Sequence, residues 1–320
     1  MHLPEIDELR ITSVVDNYLD LLLRDDGPAR RRPRGEKSYE RCLCSEHGLA
    51  ELVESRRGVD VFPLMFDFGA SPLVFLHNLD LLVQDWNVDL SAISTLVLSH
   101  GHWDHFGGLL TFLAERRASL PEQAHLYAGE DAFLARWQQA PRGPRRDMGE
   151  LDEQAVLDAG VDVVKVRDPQ LVGNQAMLSG EIARTTDYEV MPQSMRVAHG
   201  DEDAQDTLPG EQAIVYHVKG KGLVVLTACG HAGVVNTVRH AQEVTGVDKV
   251  HAVVGGFHLS GAPEERIERT ADDLSGLDPD IIVPMHCTGI ETINALQVRC
   301  PEKVILNSAG TRYEFAGGRK

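Results

Sequence analysis

The stretch from residue 94 to residue 117 constrains the fold more than any other part of the sequence. It begins with STLVLS, an apolar run with the length and composition of a buried strand. A cluster of the form H-x-H-x-D-H follows, made of His100, His102, Asp104 and His105. Leu109, Phe112 and Leu113 then recur at helical spacing. The fold must therefore hold four ligand-type side chains in one strand-to-helix loop.

The composition of this loop predicts a metal centre. Two histidines two residues apart can chelate one ion, and an adjacent Asp–His pair can hold a second ion close by. We expect two divalent ions, zinc first, with manganese or iron as alternatives. Four side chains cannot complete two coordination shells, so further ligands are expected where later strands end. His231 and His286 occupy such positions, and Cys229 is a candidate that fits a small buried residue equally well.

The remaining pattern predicts a single α/β (α+β) domain spanning 1–320. Strands are expected at 9–16, 48–54 and 59–68, then a helix after Ser71 and Pro72, then alternating strands and helices up to a last strand at 303–308. This order predicts two sheets packed together, with helices on the outside. The interval from about 138 to 210 is polar and only patchily periodic, and we expect an insertion or lid there.

Charge and composition restrict the partners. The formal net charge of -18 disfavours nucleic acid and anionic membranes, and it favours a small-molecule substrate. A homo-oligomer is compatible with the sequence. Neither a leader pattern nor a run of about 18 apolar residues occurs, so we expect a cytoplasmic protein. The five cysteines do not form the pattern of a disulfide framework, which agrees with a reducing compartment.

Several motifs together resemble one known family. The H-x-H-x-D-H cluster, preceded by FDFG (66–69) and followed by histidines at later strand ends, resembles the metallo-β-lactamase superfamily. The chain is more narrowly similar to its dihydropterin synthase-like branch, the 7,8-dihydropterin-6-methyl-4-(β-D-ribofuranosyl)aminobenzene-5'-phosphate synthase family. The matching stretches are VVDN (14–17), EHGLA (46–50), SHGHWDHFGGL (99–109), GEIARTTDYE (180–189), EQAIVYHVKGKGLVVLTACGHAGVVNT (211–237), GGFHL (255–259) and PMHCTG (284–289).

The resemblance implies both an architecture and roles for single residues. It implies a four-layer αββα sandwich with the metals at one edge. It also implies that Asp67 supports the centre from beneath without ligating, and that His231 and His286 complete the metal shells. Where the superfamily usually places a bridging aspartate, this chain has Cys229. The bridging ligand therefore stays open between Cys229, His231 and water.

The expected chemistry follows from the ions. A bound divalent ion lowers the pKa of water from about 15.7 towards about 7 and so supplies hydroxide at neutral pH. We expect a metal-dependent hydrolase that uses this metal-bound hydroxide on a small anionic or cyclic ester, of the phosphodiester or lactone class. Asp104 and His258 are the expected catalytic side chains. The expected substrate-binding side chains are Asn17, His258, Arg31 and Arg32.

Two runs of basic residues add to this expectation. ARRRPRG (29–35) and PRGPRR (141–146) stand out in an acidic chain, and solvated loops are their ordinary explanation. If either run folds over the metal edge, its arginines can bind a phosphate or carboxylate as planar bidentate donors.

Two other functions stay open. C–N bond formation with loss of diphosphate is the activity that the family name implies. A non-catalytic metal-binding sensor or interaction protein is the second, because structural zinc sites use the same residue types. The motifs of serine hydrolases (G-x-S-x-G) and of zincins (H-E-x-x-H) do not occur in the sequence.

Overall fold

The computed structural model describes residues 2–33, 38–139, 142–200 and 202–317 of the chain. The strands are β1 (Glu5–Ile6), β2 (Glu8–Val15), β3 (Ala29–Arg30), β4 (Ala50–Arg57), β5 (Asp60–Phe66), β6 (Thr95–Leu98), β7 (Ala124–Gly129), β8 (Arg136–Gln139), β9 (Arg145–Gly149), β10 (Val161–Val166), β11 (Gln170–Val172), β12 (Ala176–Leu178), β13 (Met195–His199), β14 (Glu202–Gln205), β15 (Ile214–Val218), β16 (Gly222–Leu226), β17 (Val250–Gly256), β18 (Ile281–Met285) and β19 (Arg312–Ala316). The helices are α1 (Pro72–Asp85), α2 (Trp103–Phe106), α3 (Leu109–Arg116), α4 (Glu153–Asp158), α5 (Val234–Thr245), α6 (Glu264–Gly276) and α7 (Ile290–Arg299).

Two large mixed sheets form the body of the protein. One has the strand order β10-β7-β6-β5-β4-β2-β19-β3, and the other has the order β11-β12-β15-β16-β17-β18 with β1 added beside β15. β5, β6, β7 and β10 are parallel to one another, and so are β16, β17 and β18. Parallel neighbours end at the same edge of a sheet, so the loops that follow these strands gather there.

Alternating side chains explain how the sheets pack. In β6, Val97 belongs to the core shared by both sheets, whereas Leu96 and Leu98 pack on the helical side. In β17, Val254 faces the shared core and Val253 faces the helices. This period of two is the geometry of a strand buried on both faces.

Helices cover the outer face of each sheet. Side chains of α1 and α3 join the apolar cluster on the first sheet, and side chains of α5, α6 and α7 join the cluster on the second. The layers are therefore helix, sheet, sheet and helix, which confirms the expected αββα sandwich. Among the described residues, no helix is both long and apolar enough to cross a membrane.

A third, smaller sheet has the order β14-β13-β8-β9. Arg136, at the start of β8, anchors this sheet, and we call it the root of the sheet. Its buried guanidinium lies 2.6 Å from Asp131 Oδ2 and 2.9 Å from Asp206 Oδ2. Within the interval 138–210, β10, β11 and β12 join the two large sheets, because VDVVKV and AML are apolar enough to pair there. Only part of this interval therefore stands apart from the sandwich.

Two predicted strands differ from the observed ones. The segment 303–308 forms a single bridge, Ile282 to Val304, because Asn307 turns to donate to Asp16 Oδ2 at 2.9 Å. The last strand is instead β19, which pairs with β2 and β3. The strand expected at 59–68 ends at Phe66, because Asp67 has a φ of 60°, outside the β region.

Candidate metal centre

The ligand-type side chains follow the parallel strands, at the point where each strand ends. Asp67 follows β5, and the H-x-H-x-D-H loop follows β6. Cys229 and His231 follow β16, His258 follows β17, and His286 follows β18. Two groups of these residues have ligand atoms within 4.8 Å of one another. The first is His100, Cys229 and His231, and the second is Asp104, His105, Cys229 and His286. His102 lies outside both groups but directly beside His100. The sandwich thus brings together every residue that the sequence predicted as a metal ligand.

Apart from Cys229, the first group is made of imidazoles, and the His102 ring lies beside them. His100 Nε2 lies 3.1 Å from His102 Nδ1. The His231 ring centroid lies 4.8 Å from that of His100 and 4.9 Å from that of His102. All three side chains are buried. Three neighbouring imidazoles offer nitrogen ligands for a cation.

The second group contains a carboxylate. Asp104 Oδ2 lies 3.4 Å from His286 Nε2 and 3.8 Å from His105 Nε2. The His105 and His286 ring centroids are 5.1 Å apart. This group therefore combines two nitrogens with a negative charge.

Cys229 lies between the two groups. Its Sγ is 3.3 Å from His105 Nε2 and 3.3 Å from Cys287 Sγ, and it belongs to both groups of nearby ligand atoms. Burial raises the pKa of the Cys229 thiol above its usual range. A bound divalent ion would reverse this effect, because a coordinating thiol is deprotonated.

The electrostatic environments of the two groups differ. Burial lowers the pKa of His102 to about 3, and burial together with neighbouring imidazoles holds the pKa values of His100 and His231 well below the usual range. Burial acts in the same direction on His105, but Asp104 and Asp67 outweigh it and raise that pKa to about 9. Burial alone would raise the pKa of Asp104, yet the charges of His105 and His286 hold it well below its usual range.

Asp67 fixes the loop after β6 from below. Its carboxylate accepts hydrogen bonds from Ser99 N (2.7 Å), Ser99 Oγ (2.7 Å) and His105 Nδ1 (2.7 Å). The last bond leaves His105 Nε2 directed at the centre. Ser99 Oγ in turn lies 2.9 Å from His100 Nδ1, so both rings have a fixed orientation.

Asn17 supports His286 in the way that Asp67 supports His105. Its Oδ1 lies 3.0 Å from His286 Nδ1, and its Nδ2 donates to the carbonyl of His286 at 2.9 Å and lies 3.2 Å from His47 Nδ1. Asp16 Oδ1 accepts from His286 N at 2.7 Å. The amide of Asn17 thus orients His286, and its role in substrate binding stays a prediction.

Glu211 supports the third ligand loop. This buried carboxylate accepts from His231 N at 2.8 Å and from Ala232 N at 2.5 Å. No local sequence signal selects Glu211, because it lies 20 residues before His231. Only the hairpin of β15 and β16 brings the two together.

Backbone strain is concentrated at this centre. Of the seven described non-glycine residues with positive φ, three belong to it, namely Asp67 (60°), His258 (48°) and His286 (48°). Such conformations cost about 1–3 kcal/mol each and persist where the surrounding structure enforces them.

A cavity of about 610 Å³ opens above the centre. We call its base the floor, defined as residues 16–17, 67–69, 99–105, 227–233, 257–259 and 286–288. We call its cover the roof, defined as β8, β9, β13 and β14 together with residues 260–266. Gln138, Arg146, Met148 and Met195 line the cavity from the small sheet, and Arg266 lines it from the first turn of α6.

Two further histidines line this cavity. His258, predicted as catalytic, has its ring 4.0 Å from that of His231, and its Nδ1 is buried without a partner among the described residues. His47 was not selected from the sequence, although it lies in the EHGLA stretch that carried the resemblance. Its Nε2 is 3.4 Å from Asp104 Oδ2, and its side chain is 57% exposed.

Arg31 and Arg32 do not line this cavity, and their role in substrate binding stays a prediction. Arg31 donates to Thr311 Oγ1 at 2.9 Å and Leu306 O at 3.0 Å, while Arg32 pairs with Asp85 at 2.5 Å. Both line a different cavity beside 21–23. The reason is that β3 pairs with β19 and so holds this run at the edge of the first sheet. Arg34 and Gly35 of the first basic run and Pro141 of the second lie outside the described residues.

Comparisons with known proteins agree with this geometry. Residues 65–173 match the model of the metallo-beta-lactamase superfamily. The chain is 26% identical to the 7,8-dihydropterin-6-methyl-4-(beta-D-ribofuranosyl)-aminobenzene-5'-phosphate synthase of Methanocaldococcus jannaschii, over 98% of this chain and 99% of that protein. An uncharacterized protein of the same organism, MJ0448, is 26% identical over 79% of this chain and 88% of its own length.

A solved structure has the same fold. The crystal structure of Tm1679, described as a metal-dependent hydrolase of the beta-lactamase superfamily, superposes with a TM-score of 0.73. It covers 96% of this chain and 99% of its own length, at 24% sequence identity.

Proposed function

Since this chain carries a metallo-β-lactamase superfamily domain, we propose that it is a metal-dependent hydrolase of a small anionic or cyclic ester, of the phosphodiester or lactone class. One observation carries the proposal: two ligand groups share Cys229 at the base of a cavity of about 610 Å³. A cavity of this size accepts a small molecule. A closed structural site would have no such opening above it.

The side chains of the floor fit bound cations. Among the described residues, the buried atoms without a hydrogen-bond partner include His102 Nε2, Asp104 Oδ1, both ring nitrogens of His231 and His286 Nε2. Buried polar atoms are costly unless they are satisfied, and a cation would satisfy these. The first ion would be held by His100, His102 and His231, the second by Asp104, His105 and His286, with Cys229 shared. Imidazole, carboxylate and thiolate donors together favour zinc over manganese or iron.

The chain's own residues then have separate roles in the reaction. When bound, the ions would supply hydroxide at neutral pH by lowering the pKa of water. Asp104 lines the cavity, so the carboxylate oxygen that is not bound to the ion can accept a proton from the attacking water. His258, at the wall of the cavity, can donate a proton to the leaving group. Asp67 and Asn17 keep the imidazoles of His105 and His286 oriented throughout.

A second candidate function is C–N bond formation with loss of diphosphate. The observation that favours it is the 26% identity to a dihydropterin synthase over nearly the full length of both chains. The same floor would then hold the diphosphate leaving group of a pterin substrate.

Metal content and turnover test the proposal together. Protein purified without chelators is analysed for metals by mass spectrometry and assayed with bis(p-nitrophenyl) phosphate and a model lactone. The assay is repeated after chelation and after reconstitution with zinc, manganese or iron. We expect about two ions per chain and turnover that is lost on chelation and restored by zinc.

A matched pair of variants identifies the site. His102→Ala should reduce turnover by at least about 10²-fold, because it removes a proposed ligand. His125→Ala is the control, since His125 lies in β7 with its side chain 38% exposed. Full turnover in His102→Ala would contradict the proposal.

Release of diphosphate from a pterin diphosphate and an aminobenzene acceptor, without ester hydrolysis, would favour the second candidate. Unfolding on metal removal without either activity would favour a structural metal site.

A further inference from the structure

The cavity above the centre differs in charge from the rest of the protein. The chain has 49 acidic and 31 basic residues. Of the described residues that line this cavity, only Asp104 carries a carboxylate, and Asp104 is a proposed metal ligand. The same lining contains the guanidinium groups of Arg146 and Arg266. The roof is therefore locally basic in an acidic protein.

Arg146 reaches the cavity because of the register of the small sheet. In this sheet Arg146 pairs with Gln138, whereas Arg145 pairs with Gln139 and Asp147 with Trp137. Side chains alternate along a strand, so Arg146 and Gln138 share the face that lines the cavity. Arg145 is on the other face, stacked 3.9 Å from the Trp137 ring. Arg146 is exposed and makes no hydrogen bond or ion pair with any described residue.

Arg266 reaches the cavity from the first turn of α6. Its guanidinium donates to Val190 O at 3.1 Å, while its Nε is buried without a hydrogen-bond partner among the described residues. The nearby carboxylate of Glu189 is already bonded to Val235 N and Asn236 N at the start of α5. Arginine carries five N–H donors, so most of this donor capacity is unused. An oxyanion inside the cavity would satisfy it.

Resting on the proposed function, we infer that Arg146 and Arg266 form an anion subsite in the roof that binds a phosphate group of the substrate, distinct from the ester that reacts at the floor. Two guanidinium charges match a phosphate monoester, whose charge at pH 7 is about -1.5 to -2, better than a carboxylate of charge -1. The substrate class is therefore a small ester or lactone that also carries a terminal phosphate. Arg146 belongs to the second basic run of the sequence.

Binding of paired phosphonates tests the subsite without knowledge of the substrate. Isothermal titration of the metal-loaded protein compares alkylphosphonates with α,ω-alkanediphosphonates of two to six methylene groups. One phosphonate can occupy the floor while the second reaches the roof. We expect at least one diphosphonate to bind about 10- to 100-fold more tightly than its monophosphonate, because charge-assisted hydrogen bonds are gained.

Variants assign this preference to the two arginines. Arg146→Gln and Arg266→Gln should each reduce it at least about 5-fold, and the affinity for the monophosphonate should stay unchanged. Arg145→Gln is the matched control, since Arg145 is the adjacent arginine on the opposite face, and it should keep the full preference. Because Arg146 is exposed, its substitution tests the subsite even where replacement of the half-buried Arg266 disturbs folding.

Each other outcome overturns a defined part of the inference. Equal affinity for mono- and diphosphonates at every length, or a preference that persists in both variants, would remove the subsite. Equally tight binding of a phosphonate–carboxylate chain would remove the assignment to phosphate. An intact diphosphonate preference without hydrolysis of any ester would contradict the proposed function and leave the subsite standing. Ester hydrolysis without the diphosphonate preference would support the proposed function and contradict the subsite.

Discussion

The floor and the roof of the cavity are built in opposite ways. Most floor side chains are buried, several are joined by short hydrogen bonds to buried carboxylates, and three lie on strained backbone. The roof strands are short, two of them, β9 and β14, are mostly exposed, and Arg146 makes no hydrogen bond or ion pair with any described residue. The small sheet is tied to the sandwich through the buried Arg136.

This difference separates two tasks. A metal centre needs ligands held to within a fraction of an ångström, and a dense hydrogen-bonded shell provides that rigidity. Substrate recognition tolerates mobile side chains on a loosely packed surface. We therefore expect substitutions in the floor to affect metal binding and reaction, and substitutions in the roof to affect binding of the substrate or stability.

The largest effect is expected for Asp104→Asn in the floor. The change keeps the shape of the side chain but removes the negative charge from the second ligand group. Turnover should fall by at least about 10³-fold, and metal content should fall by about half. Mass spectrometry of the metals and ester hydrolysis measure this. If the variant keeps both ions and full turnover, the floor does not determine the reaction.

Arg136→Met tests the root of the roof. It leaves Asp131 and Asp206 without their buried partner, which should cost about 3–5 kcal/mol in the free energy of unfolding. Arg196→Met in β13 is the control, because its ion pair with Asp203 is largely exposed and should contribute less than about 1 kcal/mol. Urea denaturation measures both. Equal losses in the two variants would show that the buried ion pairs of Arg136 contribute no more to stability than the more exposed pair of Arg196.

Asp67→Asn tests orientation of ligands without removing one. Asparagine tolerates the positive φ of this position but cannot accept all three hydrogen bonds. Metal affinity should fall about 10- to 100-fold, with the fold retained. Asp278→Asn is the matched control, since Asp278 also has positive φ (51°) and its side chain is 79% exposed. Competition with a metal-sensitive dye gives the affinities, and an unchanged affinity in Asp67→Asn would contradict the support role.

Glu51→Gln tests how much stability is lost by burying the Glu51 carboxyl group near Asp16 and Asp67, which belong to the floor. Glu51 is buried in β4, and burial, then the charges of Asp16 and Asp67, raises its pKa well above 4.5. The folded state thus favours the protonated form, and the wild type loses about 1.4 kcal/mol for each pH unit between the unfolded and folded pKa values. Glutamine removes this loss. The variant should gain stability relative to wild type as pH rises from 4.5 to 7.5.

Urea midpoints at both pH values measure this gain. A stability difference that does not change with pH would show that Glu51 is not held protonated in the fold.

The sequence alone predicted which ligand-type side chains the floor brings together, and it did not predict which residues line the roof. His100, His102, Asp104 and His105 form a local pattern within six residues, and His231 and His286 each follow an apolar strand. These signals are local, so periodicity and spacing reveal them. Asn17 and Arg31 were predicted to bind substrate, and the structure adds hydrogen bonds to His286 and Thr311 that the sequence did not reveal. Those partners are about 270 and 280 residues away, and no local pattern encodes such distances.

The sequence by itself determined the αββα layering and the chemistry of the ligand loops, because alternation of apolar side chains and clustering of ligand types are properties of short segments. Tertiary structure alone decided that Asn17 and Glu211 support those ligands and which arginine faces the cavity. Glu211 reaches His231 through a hairpin, and Arg146 rather than Arg145 lines the cavity through strand register. A shift of one residue in that register would turn the opposite face of β9 to the substrate.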